Sequence, residues 1–174
     1  HPSNYFLNNA FATVCGKKFG DGSTINKDNL NYTYIFPIKT EVTFPTEITH
    51  PQIIGIAING VPLMATKTMD SVKVSLDAEF GKPSSKGEYH YHTTPPSLIE
   101  NKTNLIGIAL DGFPIYGPHE QNTNRVPDDL DRCRGHIGFT NNVFGTIYHY
   151  HVKPFTLTQK DTSDLFIGCF SGVR

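Results

Sequence analysis

Residues 52–64 read QIIGIAINGVPLM, and residues 104–116 read NLIGIALDGFPIY. Each copy consists of an apolar run, an Asn-Gly or Asp-Gly pair, and a second short run that begins at a proline. Asn-Gly and Asp-Gly between apolar runs are strong signals for a two-residue hairpin turn, and proline is tolerated at the start of a strand or at a sheet edge. The sequence therefore predicts two related β-hairpins.

A second shared element follows each hairpin. Tyr-His-Tyr-His occurs at residues 89–92 and again at residues 148–151. The hairpins are offset by 52 residues and these segments by 59, so the second copy carries seven extra residues in between (59 − 52 = 7). That interval contains the acidic segment 128–136, which we interpret as a loop insertion, a common place for functional residues.

The composition favours a β fold. Proline and glycine together number 27 (12 + 15), which is typical of many short strands joined by turns. We expect one domain, residues 1–174, with an internal repeat at 52–92 and 104–151. The predicted fold class is all-β or β-dominated, an antiparallel sandwich or barrel built from two duplicated units, each a hairpin plus a Tyr-His-Tyr-His strand.

The remaining segments give local predictions. Alternation of β-branched and aromatic residues predicts strands at 5–14 and 30–44, and residues 164–170 are expected to form a closing buried strand. Residues 127–132 are expected to form a short helix, because proline near the start and acidic residues in the first turn favour a helix N-terminus.

Charge and hydropathy exclude several partners. The chain has 15 basic and 16 acidic residues, for a net charge of −1, and it contains no basic stripe. Nucleic acid and anionic membrane surfaces are therefore poor partners. No apolar run approaches the roughly 20 residues that a membrane-spanning helix needs, so no membrane span is expected. The oligomeric state stays open.

Half of the eight histidines lie in the two Tyr-His-Tyr-His segments. Side chains alternate across a strand, so the histidines of each segment share one face and the tyrosines share the other. Histidines at i and i+2 have their stems about 7 Å apart, which lets both imidazoles reach one ion. If the two copies face each other, one metal site forms from four histidines: His90, His92, His149 and His151.

The ligand type narrows the choice of metal ion and leaves three functions open. Imidazole suits transition metals rather than calcium or magnesium, and an all-histidine set favours a copper or zinc ion. Asp111 and His136 are candidates for further ligands or for a catalytic general base. The open functions are metal capture or storage, a zinc hydrolase or copper redox enzyme with a free coordination position, and a metal-free structural or adhesion module with a small-molecule or carbohydrate ligand.

Three features favour a secreted glycoprotein. The chain begins at His1, which fits removal of a signal peptide or a shortened chain, and a free N-terminal histidine is itself a candidate copper chelate. Glycosylation sequons begin at Asn31 and Asn101. Three cysteines allow one disulfide in an oxidising compartment. We expect it between Cys133 and Cys169, with Cys15 free or pairing instead.

Four segments together resemble the hallmark of the YHYH-domain proteins. They read DGFPIYGP at 111–118, DLDRCRGH at 129–136, YHYH at 148–151 and IGCF at 167–170. The resemblance runs over roughly residues 50–172. It implies an exported protein of bacteria or eukaryotes and does not imply a particular reaction.

The same resemblance singles out the second copy. Asp111, His136, His149 and His151 fall on the family's motif positions. The first copy departs from the pattern, because it has Asn59 in place of Asp111 and no segment that matches residues 129–136. The resemblance therefore implies an asymmetric site centred on the second copy.

Overall fold

A computed structural model describes residues 33–37, 39–49, 51–65, 76–141, 145–154 and 165–173. Within these ranges the chain forms ten strands and a 3₁₀ turn at Pro96–Leu98. The strands are β1 (Val42–Glu47), β2 (Gln52–Ala57), β3 (Pro62–Ala65), β4 (Gly81–Pro83), β5 (Tyr89–Tyr91), β6 (Leu105–Ala109), β7 (Pro114–Tyr116), β8 (Gly135–Thr140), β9 (Gly145–His151) and β10 (Cys169–Gly172). None of the helical segments in these ranges has the length and apolar character needed to cross a bilayer.

Eight strands form one sheet with a symmetrical order. The order is β4-β5-β3-β2-β6-β7-β9-β8, and a separate two-stranded sheet pairs β1 with β10. Most neighbours are antiparallel, but β3 and β5 are parallel, as are β7 and β9. The prediction of a β-dominated, mainly antiparallel fold is confirmed. Over the described residues the large sheet is open, because β4 and β8 each end it.

The two halves meet where β2 pairs with β6. Gly55 lies opposite Ala109, and Gly107 lies opposite Ala57. A Cβ atom on Gly55 would collide with the carbonyl of Ile108, and one on Gly107 would collide with the carbonyl of Ile56. Glycine inside a strand often marks such a close backbone approach. The repeated Ile-Gly-Ile-Ala blocks therefore pair as neighbouring antiparallel strands, which joins the two copies edge to edge across a pseudo-two-fold axis.

Both predicted hairpins are confirmed, but their loops are one residue longer than predicted. The amide of Ala57 donates to the carbonyl of Val61 at 2.9 Å, and the amide of Gly60 donates to the carbonyl of Ala57 at 2.8 Å. Ala109 and Gly112 repeat this pattern. Both glycines have φ of +86°, which glycine adopts at little cost, and the result is a three-residue loop.

The predictions for local elements hold only in part. Residues 5–14 lie outside the described residues. Residues 33–37 are not in a strand, because alternation alone does not supply a paired neighbour, and the strand of this region begins at Val42. The closing strand is confirmed only from Cys169 onward.

The predicted helix at 127–132 is wrong. The Asp131 carboxylate instead accepts the amides of Cys133 and Gly135, at 2.8 and 3.0 Å, and Arg134 has φ of +69°. A side chain that bonds nearby amides in this way competes with helix formation.

The tyrosine face of the sheet packs into the core and is fixed by carboxylates. Tyr148 donates to Asp131 at 2.7 Å, and in the first half Tyr89 donates to Asp77 at 2.6 Å. Asp77 also accepts the amide of Gly81 at 3.0 Å, just as Asp131 accepts that of Gly135. Each half thus contains an aspartate turn that leads into the strand beside its Tyr-His-Tyr-His segment.

This correspondence corrects two interpretations of the sequence. The first copy does contain a counterpart of residues 131–136, at residues 77–82, with an offset of 54. The seven extra residues are therefore split, two before the aspartate turn (54 − 52) and five between the turn and the Tyr-His-Tyr-His segment (59 − 54). The acidic segment 128–136 is not the insertion.

The disulfide between Cys133 and Cys169 is confirmed. It ties the aspartate turn of the second half to β10, where the amides of Ser171 and Gly172 donate to Asp111 at 3.1 and 3.0 Å. The closing strand is thereby fixed to the tyrosine face at both its ends.

Replacing both of these cysteines with serine is expected to lower the free energy of unfolding by about 3–4 kcal/mol, because the bond spans 36 residues and constrains the unfolded chain. Urea unfolding of the variant and of the wild type, both without metal, measures the difference. Equal stability of the two proteins would contradict this role of the bond.

Candidate metal centre

The centre is built on β9, which lies between β7 and β8. Because side chains alternate along a strand, Tyr148 and Tyr150 point into the core while His149 and His151 share the opposite face. β7 and β8 flank this segment on its two sides. His149 and His151 are each only 1% exposed.

Two more side chains join this pair from other elements. His136 lies on β8 directly opposite His149. Glu120 comes from the loop after β7, the strand that runs parallel to β9. The side chains of His136 and Glu120 are 8% and 12% exposed. The four ligand atoms all lie within 4.8 Å of one another.

The individual distances suit one ion. The Nε2 atom of His149 is 3.2 Å from that of His136 and 3.0 Å from that of His151. The Glu120 Oε1 atom is 2.6 Å from His136 Nε2 and 3.7 Å from His151 Nε2. An ion held tetrahedrally at about 2.0 Å from each nitrogen separates neighbouring nitrogens by about 3.3 Å. The two nitrogen–nitrogen separations, 3.0 and 3.2 Å, are close to that value, whereas the 2.6 Å between Glu120 and His136 is a hydrogen-bond distance.

The other nitrogen of each imidazole has its own acceptor. His149 Nδ1 lies 3.1 Å from the Ile147 carbonyl, and His151 Nδ1 lies 2.7 Å from the Gly117 carbonyl. His136 Nδ1 lies 2.7 Å from the Asp129 carboxylate. Such outer contacts fix the orientation and tautomer of metal-binding histidines.

These contacts decide where the protons are. A carbonyl oxygen only accepts, so His149 and His151 each carry their proton on Nδ1 when neutral. Their two Nε2 lone pairs then face each other at 3.0 Å with no proton between them. His136 Nε2 lies 2.6 Å from Glu120 and 3.2 Å from His149 Nε2, so a proton there can serve either of these atoms but not His151 Nε2. A bound cation resolves the repulsion.

Burial keeps the two inner histidines neutral. Burial, opposed by the hydrogen bond to the Ile147 carbonyl and assisted by the nearby His136, lowers the pKa of His149 to about 4. Burial likewise lowers the pKa of His151 to about 4. Burial raises the pKa of Glu120, while His136 acts in the opposite direction. Neutral imidazole is the form that binds a metal ion, so the pair is ready to bind at neutral pH.

The prediction that both motifs form one site is wrong. His90 and His92 lie on β5, in the other half of the sheet, and contact each other at 3.0 Å. Five strand-to-strand steps separate β5 from β9, or about 24 Å along the sheet. The two segments lie far apart because the halves join through β2 and β6, which places β5 and β9 toward opposite edges.

Asp111 and His136, the two further candidates from the sequence, lie on different sides of the sheet. His136 is one of the four side chains of the described residues that could hold a metal ion. Asp111 lies on the tyrosine side, where it accepts from Tyr150 at 2.5 Å and from the amides of β10. Burial raises the pKa of Asp111, and its hydrogen bonds oppose that rise. Asp111 therefore holds the closing strand and is not placed to act on a bound ion.

Sequence reasoning missed Glu120 and the contact of Asp129 with His136. Glu120 is a single acidic residue in a loop, just beyond the DGFPIYGP segment, and no spacing rule connects it to the histidines. Asp129 lies in the predicted helix 127–132, which does not form. The candidate chelate at His1 lies outside the described residues.

Comparison with known proteins identifies a family. A family model described as "YHYH protein" matches residues 33–128, which is more than half of the chain, so the chain belongs to the YHYH protein family. The matched range includes both hairpins and the first Tyr-His-Tyr-His segment, and it ends before the second. No curated protein matches the chain, and no solved structure matches it.

Proposed function

We propose that the chain is a secreted transition-metal-binding protein whose ion is held by Glu120, His136, His149 and His151. The observation that carries this proposal is the pair of Nε2 lone pairs of His149 and His151, 3.0 Å apart, with both Nδ1 atoms committed to carbonyl oxygens. A pair of this kind is costly without a cation, and the nearby carboxylate supplies negative charge for a divalent one.

The donor set supports copper or zinc. Three imidazoles and one carboxylate are common ligands of zinc, and imidazole-rich sites also suit copper. The Cys133–Cys169 disulfide supports an oxidising compartment, in which copper would be bound as Cu(II). Four protein ligands fill a tetrahedral zinc site, which favours metal capture or storage over a reaction.

Elemental analysis of chain purified without a histidine tag tests this function. After reconstitution with copper or zinc and removal of excess metal, we expect one ion per chain. Competition between the two ions in the same sample identifies the preferred one. Absence of stoichiometric metal after reconstitution with either ion would contradict the proposal.

A metal-dependent enzyme is a second candidate, favoured by the position of Glu120. This residue lies on a loop, whereas all three histidines lie on β8 and β9. With Glu120 off the ion, three histidines leave one coordination position for water, which zinc would activate for hydrolysis and copper would use in redox chemistry. Glu120 would then act as a base beside that water.

The Glu120→Gln variant distinguishes the two candidates. If Glu120 is a ligand, the variant is expected to bind the ion about 10-fold or more weakly, since loss even of an outer partner costs 10–100-fold. X-ray absorption of the loaded wild type is then expected to show no bound water. Unchanged affinity in the variant, with water on the ion in the wild type, would instead support the enzyme.

A further inference from the structure

The first half of the sheet contains a counterpart of the metal centre in which a lysine replaces one histidine. Lys82 lies opposite His90 on β4 and β5, just as His136 lies opposite His149 on β8 and β9. The surrounding backbone is also the same. Phe80 and Arg134, the residues two positions earlier, both have positive φ, of 58° and 69°.

The backbone hydrogen bonds around the two sites also correspond. The amide of His92 donates to the carbonyl of Phe80 at 3.2 Å, and that of His151 donates to the carbonyl of Arg134 at 2.9 Å. The register of β4 against β5 therefore places Lys82 at the position of the third imidazole in the second half.

The two histidines of the first half do not need a metal ion to satisfy each other. His90 Nδ1 lies 3.0 Å from the Glu88 carbonyl, so its Nε2 atom is free to accept. His92 Nδ1 is buried with no hydrogen-bond partner among the described residues, so the His92 proton is free to lie on Nε2. It is then donated to His90 across 3.0 Å.

The second half cannot use this arrangement. His151 Nδ1 is held by the Gly117 carbonyl at 2.7 Å, which keeps the proton away from the neighbouring histidine. One proton shared between two imidazoles thus replaces the ion in the first half only. The difference lies in one outer contact, at the residue that ends each segment.

Lys82 already supplies a positive charge beside the two histidines of the first half. Burial lowers the pKa of His90, and Lys82 lowers it further. Burial, His90 and Lys82 together lower the pKa of His92 to about 3. The charge that disfavours a protonated imidazole here equally disfavours a bound metal cation.

We propose that the first half is a metal-free counterpart of the metal centre, because Lys82 replaces the third imidazole ligand with an ammonium group that repels a cation. This inference rests on the proposed function. It assigns the two histidine pairs different roles: His149 and His151 bind the ion, while His90 and His92 form a hydrogen-bonded pair. It also sets the metal content at one ion per chain rather than two.

The Lys82→His variant tests this inference through its metal content. We expect two ions per chain in the variant and one in the wild type and in the matched control Lys82→Gln, which loses the charge without gaining a ligand. In the background of His149→Ala with His151→Ala, adding Lys82→His is expected to restore one ion. One ion in the wild type and still one in Lys82→His would overturn the inference and leave the proposed function intact. No ion in the wild type would overturn both.

A second measurement uses the wild type alone and does not depend on the folding of a variant. Nitrogen-15 chemical shifts of the imidazoles are recorded before and after addition of zinc. The Nε2 signals of His149 and His151 are expected to move on zinc binding, while those of His90 and His92 stay unchanged. Zinc-dependent movement of the His90 and His92 Nε2 signals at one equivalent would overturn the inference.

Discussion

Replacing His149 and His151 together with alanine is expected to lower the metal content from one ion per chain to none. The two imidazoles supply half of the ligands and are the most deeply buried part of the centre. Loss of an outer partner of a ligand already costs 10–100-fold in affinity, so loss of two ligands is expected to cost more than about 100-fold. Elemental analysis after dialysis measures the effect.

The duplicated fold supplies the matched control. His90→Ala with His92→Ala makes the same chemical change on the corresponding strand of the other half, at histidines that are each 4% exposed. That variant is expected to retain one ion. Loss of the ion in both double variants would indicate a general effect on folding. Loss only in the His90 and His92 variant would place the metal centre in the first half and contradict the proposal.

The metal-free chain is expected to lose stability as the pH falls from 7 to 5. The pKa values of His149 and His151 are about 4 in the folded chain, against about 6.5 in an unfolded one. Between these values the unfolded chain binds more protons, so unfolding becomes easier as the pH falls. Each of these histidines is expected to contribute a loss of about 2 kcal/mol over this interval.

Urea unfolding in the presence of a chelator at the two pH values measures this loss. The matched variant, His149→Gln with His151→Gln, is expected to show a change smaller by about 4 kcal/mol. The buried Glu120 acts in the opposite direction, because its raised pKa favours the folded state in acid. An equal pH dependence in the wild type and the variant would contradict the assignment of neutral, buried histidines.

The local elements of the fold could be predicted because their signals are local. An apolar run, an Asn-Gly or Asp-Gly pair and a proline fix each hairpin within about a dozen residues. Alternation in Tyr-His-Tyr-His assigns its tyrosines and histidines to opposite faces. The helix at 127–132 failed for an equally local reason, since the Asp131 side chain takes the amides that a helix would use.

The arrangement of the two halves depends on one long-range pairing that was not read from the sequence. Whether the Tyr-His-Tyr-His segments face each other is decided by β2 against β6, in residues far from both segments. A signal was present in Gly55 and Gly107, since a glycine inside an apolar strand often marks close backbone contact. Pairing of the two repeats through these glycines places their histidines on opposite sides of the β2–β6 junction.

The centre itself could be predicted only in part for the same reason. His149 and His151 are neighbours on one strand, so their spacing is informative. Glu120 is 29 residues from His149 along the chain, and only the parallel pairing of β7 with β9 brings its loop to the histidines. Such a crossover connection leaves no periodic trace in the sequence.

The most direct test of the central claim is a crystal structure of the wild-type chain loaded with zinc or copper, with anomalous scattering recorded at the edge of that metal. We expect one anomalous peak, within about 2.3 Å of the Nε2 atoms of His136, His149 and His151. A peak between His90 and His92, or no peak near any of these histidines, would contradict it.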